Sequence, residues 1–167
     1  MKGLKQRIAW AIVIASLLGT AGCGPPFPKQ TLEKVDKSLS FRELLKDPER
    51  YRGRWVMAAG MIVDVKNLKE GTLLEVLQKP MDSRGRPLQG DVTEGRFIVS
   101  SEKFLDAAVY QKGRVLTVVG EVAGSTVKLL SEIEYKYPVL AAKDLYLWEP
   151  AYTGPRFFFG IGVTKQL

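Results

Sequence analysis

The stretch Arg54-Trp55-Val56-Met57-Ala58-Ala59-Gly60-Met61-Ile62-Val63-Asp64-Val65 decides the fold class. It is rich in Val, Met, Ile and Trp, and its apolar side chains fall on both faces of the pleat instead of alternating with polar ones. A strand with one solvated face alternates; a strand covered on both faces does not. The segment therefore predicts a strand in a closed or covered barrel.

Working outward, Thr72-Leu73-Leu74-Glu75-Val76-Leu77-Gln78 reads as a second strand, closed by Pro80. Residues 80–94 hold Pro, Asp, Ser, Gly and Arg and form a long polar connection. Gly95 to Ser100 starts a third strand, and Ser101 is placed to cap a short helix through about Tyr110, with Phe104, Leu105 and Ala108 on one face. Arg114 to Val122 and Thr126 to Tyr137 read as a hairpin across Gly124-Ser125, followed by a final strand from Val139 to Trp148. Upstream, Ser40-Phe41-Arg42-Glu43 has the capping-box spacing, so a short helix should run to about Lys46 and stop before Pro48. The order predicts a mainly β fold, an OB-like closed or partly open β-barrel with one or two short helices. Three strands open alike, at Gly53-Arg54, Gly95-Arg96 and Gly113-Arg114; each Gly marks a tight start and each Arg a solvated barrel rim.

The N-terminus is of another kind. Lys2, Lys5 and Arg7 precede an apolar run from Ile8 to Ala15, extended by Leu17 and Leu18, then small residues Gly19-Thr20-Ala21-Gly22 and Cys23. This is the pattern of a secretory signal peptide. From Ile8 to Gly24 there are 17 residues, short of the roughly 20 that span a bilayer, and Pro25, Pro26 and Pro28 stop any continuation. Thr20-Ala21-Gly22-Cys23 looks like a bacterial lipobox, whose cysteine thiol is acylated and becomes the new N-terminus; Thr20 stands where that motif usually has Leu. By resemblance to Gram-negative lipoproteins, Gly24 instead of Asp after the cysteine implies transport to the outer membrane. Two or more acyl chains, at about 0.8 kcal/mol per buried methylene, would hold the protein there.

The 167 residues include 25 Lys plus Arg, 18 Asp plus Glu, one Cys and no His. Without His there is no Ser-His or Cys-His nucleophile pair and no Cys/His zinc site. No enzyme, metal or cofactor is expected. The formal charge of +7 falls to +4 without residues 1–22, and a mildly basic protein outside the cytoplasm meets lipid phosphates, lipopolysaccharide or cell-wall polymers before it meets nucleic acid.

Taken together, the segments resemble the Slp family of starvation-inducible outer-membrane lipoproteins. The matching stretches are Tyr51-Arg52-Gly53-Arg54-Trp55-Val56, Gly60-Met61-Ile62, Thr72 through Asp82, Gly95-Arg96-Phe97, Phe104-Leu105-Asp106, Gly113-Arg114, and Glu132 through Val139 ending near Leu147-Trp148. Ala59 and Ala107 depart from the family's frequent Gly and Pro. The resemblance implies lipidation, an outer-membrane location facing the periplasm and an association with envelope stress, and it brings no catalytic residues. The expected organisation is a signal peptide over 1–22, a lipidated N-terminus and tether over 23–39, a barrel domain over 40–150 and an aromatic, Gly-containing tail over 151–167.

Cys23 is the lipid-attachment candidate. Arg84 and Arg86 in the long connection are candidates for anionic-ligand contacts, against the plainer reading of a solvated loop. Tyr135, Tyr137, Tyr146 and Trp148 are candidates for a stacking platform of the sort OB folds use, with core packing or a membrane-facing belt as the alternatives. Glu75, Asp64 and Glu121 are read as ordinary solvated acids of a sheet face. The run Phe157-Phe158-Phe159-Gly160-Ile161-Gly162-Val163 is too short to span a membrane and is open to docking on the domain, lipid contact or strand addition to a partner. Two functional classes follow: a lipid-anchored structural or interaction protein, or a binding module for an anionic glycan or lipid headgroup.

Overall fold

A computed structural model of the chain describes residues 24–150. Cys23, the signal peptide and the aromatic tail lie outside the described residues.

Five strands form the barrel: β1 Trp55–Leu68, β2 Gly71–Gln78, β3 Arg96–Ser101, β4 Val115–Leu130 and β5 Ile133–Leu147. They close in the order β1-β2-β3-β5-β4, with every pair antiparallel except β3 with β5. This is the OB-like arrangement expected from the element order. β1 makes the closure possible by serving two neighbours. Its first half, Trp55 to Met61, pairs with β4, and Gly60 to Leu68 pair with β2, with a register shift between Ile62 and Asp64. Gly60 sits at the changeover, where a Cβ would lie 2.2 Å from the Leu77 carbonyl oxygen.

Both faces of β1 are covered, as its sequence requires. Val56, Ala58 and Ile62 point into the core with Leu74, Val76, Phe97, Val99, Leu116, Val118 and Leu140. On the outer side, Ala59, Thr117 and Val119 are equally buried. Short flanking segments provide the cover. Helix α1 (Lys29–Leu32) precedes a parallel bridge from Val35 to Trp55, the Asp36 amide donates to the Trp55 carbonyl, and Thr31 bonds Asp144 on β5. The stretch expected as a tether is thus seated on the barrel wall from α1 onward.

Helix α2 (Phe41–Lys46) forms as expected. Ser40 accepts from the Glu43 amide, and the Glu43 carboxylate accepts from the Ser40 amide. The helix delivers Leu44 into the core and packs Phe41 edge-on against Phe97 at 5.5 Å. A 3-10 turn (Pro48–Tyr51) leads into β1. Gly53, Gly95 and Gly113 all adopt positive φ just before their strands.

Two expectations are corrected. The segment after β3 forms turns, not a helix: the Ser101 hydroxyl accepts from the Lys103 amide and the Asp106 carboxylate from the Ala108 amide, local bonds that compete with helical ones. The hairpin does not turn at Gly124-Ser125. β4 runs through these residues to Leu130, turns at Ser131-Glu132, and returns as one strand to Leu147. Gly124 occupies a bulge at φ +111, and the Arg52 guanidinium fills the space a Cβ would take and bonds the Ala123 carbonyl.

Three outcomes follow for thermal or denaturant melts. Ser40→Ala should cost about 1 kcal/mol through the lost cap. Gly60→Ala should cost about 1–3 kcal/mol, because the added methyl meets backbone in a close-packed wall. The third is a pH dependence. Glu49 is held below its ordinary carboxyl value of 4.5, first by the Ser125 hydroxyl and then by Arg52. A lowered folded value means that this stabilisation is present above the unfolded value and lost as pH falls through the folded one. Glu49→Gln should therefore lower stability at neutral pH, where this stabilisation is present, and flatten its loss below pH 4.5.

Candidate functional site

The connection between β2 and β3 builds its own structure. The Asp82 carboxylate accepts from the amides of Arg84 and Arg86, at 2.8 and 2.9 Å, and the Gly85 amide donates to the Asp82 carbonyl. Gly85 takes φ +76, which a glycine adopts without strain. The turn is fastened to the barrel through Thr117, whose hydroxyl donates to the Gly85 carbonyl and accepts from the Trp148 indole N–H. Pro25 packs against the same glycine, its Cβ 3.5 Å from where a Gly85 side chain would begin.

Arg86 is positioned by this turn. Its guanidinium lies 5.5 Å from the centre of the Trp148 ring and donates to the Glu149 carbonyl. Arg84 points into solvent. Beside Arg86 is a groove of about 440 Å³, lined by Lys79, Leu88, Asp91, Arg114 and Pro150 among others. Lys79 donates to the Gly90 carbonyl at 2.6 Å. Arg114 donates to the carbonyls of Val109 and Trp148, while its buried Nε–H has no partner among the described residues. The solvated rim position expected for Arg114 does not hold; its side chain joins the end of β5 to the start of β4. Its role depends on the closeness of Trp148, 34 residues away, which no local motif reports.

The expected four-residue aromatic platform divides into two pairs. Tyr146 and Trp148 meet edge-on at 4.7 Å on the Arg86 side. Tyr135 and Tyr137 meet at the same distance on the wall formed with β2 and β3. Tyr135 accepts from the Arg96 amide. Tyr137 is 1% exposed and donates to Glu75, whose carboxylate also receives Arg96 at 2.7 Å. Burial first, and the Glu75 charge next, raise the Tyr137 phenol above its ordinary value. These tyrosines therefore belong to packing and an ion pair, while Arg84 and Arg86 sit on a different part of the barrel.

The acids are likewise accounted for. Asp64 is the cross-strand partner of Glu75 but is exposed, and Glu121 pairs with Lys143 at 3.2 Å. Among the described residues no cluster of His, Cys, Asp or Glu is arranged to hold a metal, and no helix is long and apolar enough to cross a membrane.

Known proteins of similar sequence fit this picture. An "Uncharacterized lipoprotein YeaY" of Escherichia coli (strain K12) is 29% identical over 74% of this chain and 58% of its own length. An "Uncharacterized protein" of Haemophilus influenzae is 33% identical over 80% of this chain and 73% of its own length. The "Outer membrane protein Slp" of E. coli (strain K12) is 26% identical over 68% of this chain and 60% of its own length. The match thus spans less than two thirds of either E. coli relative. Among solved structures, a small single-stranded DNA-binding protein from Streptomyces coelicolor aligns with 56% of this chain and 92% of its own, at 12% identity and a TM-score of 0.34. A Plasmodium falciparum SSB complex with ssDNA aligns with 57% and 94%, at 17% identity and a TM-score of 0.35. Likeness at this level carries no argument about a ligand. The family described as "Outer membrane lipoprotein Slp family" matches residues 20–159, and the chain belongs to it.

Proposed function

We propose that this protein is a non-enzymatic lipoprotein, anchored through acyl chains on Cys23, that faces the periplasm and serves a structural or interaction role in envelope stress or starvation. The observation that carries the reading is Cys23 itself. It stands at the end of a signal-like segment, within Thr20-Ala21-Gly22-Cys23. Membership of an outer-membrane lipoprotein family supports the same location. The lack of His, with Glu75 and Glu121 already engaged by Arg96 and Lys143, supports a non-enzymatic role. The tie to stress rests on family resemblance.

A second reading is favoured by the groove beside Arg86. Three cationic side chains, Lys79, Arg86 and Arg114, line it, and guanidinium and ammonium groups suit an anionic ligand. A lipid headgroup or anionic glycan is the corresponding ligand class.

The anchoring reading is tested with Cys23→Ser in the full chain. The variant should accumulate as precursor, incorporate no labelled palmitate and leave the outer-membrane fraction; unchanged mass and fractionation contradict it. For the groove, lipopolysaccharide titrated at two salt concentrations should bind more weakly at high salt, and Arg86→Gln should weaken binding further. Binding insensitive to both changes rules the groove out.

A further inference from the structure

Among the exposed surfaces that combine apolar and basic residues, Phe104 beside Lys103 included, two bear on which side of the barrel faces the lipid. The first is the tip of the β4–β5 hairpin, where Val127, Leu129 and Ile133 are exposed near Lys128. The second is the loop from Asp82 to Val92, with Arg84 in solvent, Leu88 47% exposed and Val92 68% exposed. By exposure alone the hairpin tip is the stronger candidate for a membrane contact. Chain length decides otherwise.

Pro25 packs on Gly85 within this loop, and Cys23 is two residues before Pro25. Two residues span at most about 7 Å. Cys23 therefore lies within about 7 Å of Pro25, the residue that packs on the 82–92 loop. Leu129 lies 12 residues along β4 from Thr117, the residue that holds Gly85. Thr117 stands near the start of β4 and Leu129 near its end, so the hairpin tip is at the opposite end of the strand from that attachment. The other end of the described chain also leaves from the loop's side, since Arg86 bonds the Glu149 carbonyl and Pro150 lines the groove.

We infer that the Asp82–Val92 loop is the surface by which this barrel rests on its own membrane, with Arg84 at lipid phosphates and Leu88 and Val92 in the interface. The inference depends on the anchoring of Cys23 and adds an orientation to it. Charge fits the occupant. The Asp82 carboxylate is taken up by two backbone amides and Glu94 is paired with Arg42 at 3.3 Å, which leaves Arg84 and Arg86 opposed mainly by Asp91. A guanidinium near an anionic leaflet and two aliphatic side chains at headgroup depth are mutually reinforcing contacts.

The sole native cysteine is consumed by acylation, so a cysteine introduced elsewhere takes a thiol label alone. Leu88→Cys, Val92→Cys and Leu129→Cys would each be labelled with an environment-sensitive fluorophore in the full acylated protein. Each is then reconstituted in phosphatidylethanolamine–phosphatidylglycerol vesicles carrying spin-labelled lipid. Quenching at positions 88 and 92 should be several-fold that at 129, and Arg84→Glu should reduce it. Equal quenching at all three positions, or quenching only at 129, overturns the inference while the acyl mass and vesicle co-flotation leave the anchoring intact. Loss of acyl mass and co-flotation instead overturns the anchoring, and the orientation with it.

Discussion

The wall formed by β1 and β4 is apolar on both faces, and everything else in the molecule is arranged around covering it twice. Val56, Ala58, Leu116 and Val118 fill the barrel from one side; Ala59, Thr117 and Val119 are buried on the other. A barrel encloses the first set by closing on itself, but the second set needs material from outside the sheet. The described chain supplies it from the segment that follows Cys23 and from the turn at Gly85. The same requirement that buries the outer wall therefore ties the route of the N-terminal chain to the barrel.

This coupling gives Thr117 a central place. A polar residue buried completely must have its hydroxyl satisfied, and here one hydroxyl both donates to Gly85 and accepts from Trp148. The β2–β3 loop, the end of β5 and the outer wall are joined at one oxygen. Arg86 over Trp148 and Arg114 on the Trp148 carbonyl add further ties at the same corner. The cationic groove is a consequence of that corner, since the side chains that hold the loop and the strand end together also line the space between them.

Much of the fold was legible in the sequence wherever the signal was local. The two-sided apolar pattern of residues 54–65 identified a covered strand, Ser40 with Glu43 identified α2, and three glycines marked strand starts by their need for positive φ. Gly124 shows the limit of that logic. Positive φ serves a bulge as well as a turn, and what selected the bulge was Arg52, 72 residues away, packed over the glycine. The turn instead fell at Ser131, a non-glycine at φ +58. Ser101 misled for a related reason, since a side chain that caps a helix also bonds the amide two residues on. At the site, residues 82–86 were legible as a polar loop presenting arginines, whereas the division of the aromatics into separate pairs and the contribution of Arg114 arise from contacts between distant strands.

The central claim is that the segment after Cys23 is part of the barrel and not a free tether. Amide hydrogen exchange on the full-length protein tests it most directly. The Asp36 amide, bonded to the Trp55 carbonyl, should be protected to an extent comparable with the amides of β1, and the amides of α1 should exchange measurably more slowly than an unstructured chain. Exchange across residues 29–36 at the rate of a free peptide would contradict the account.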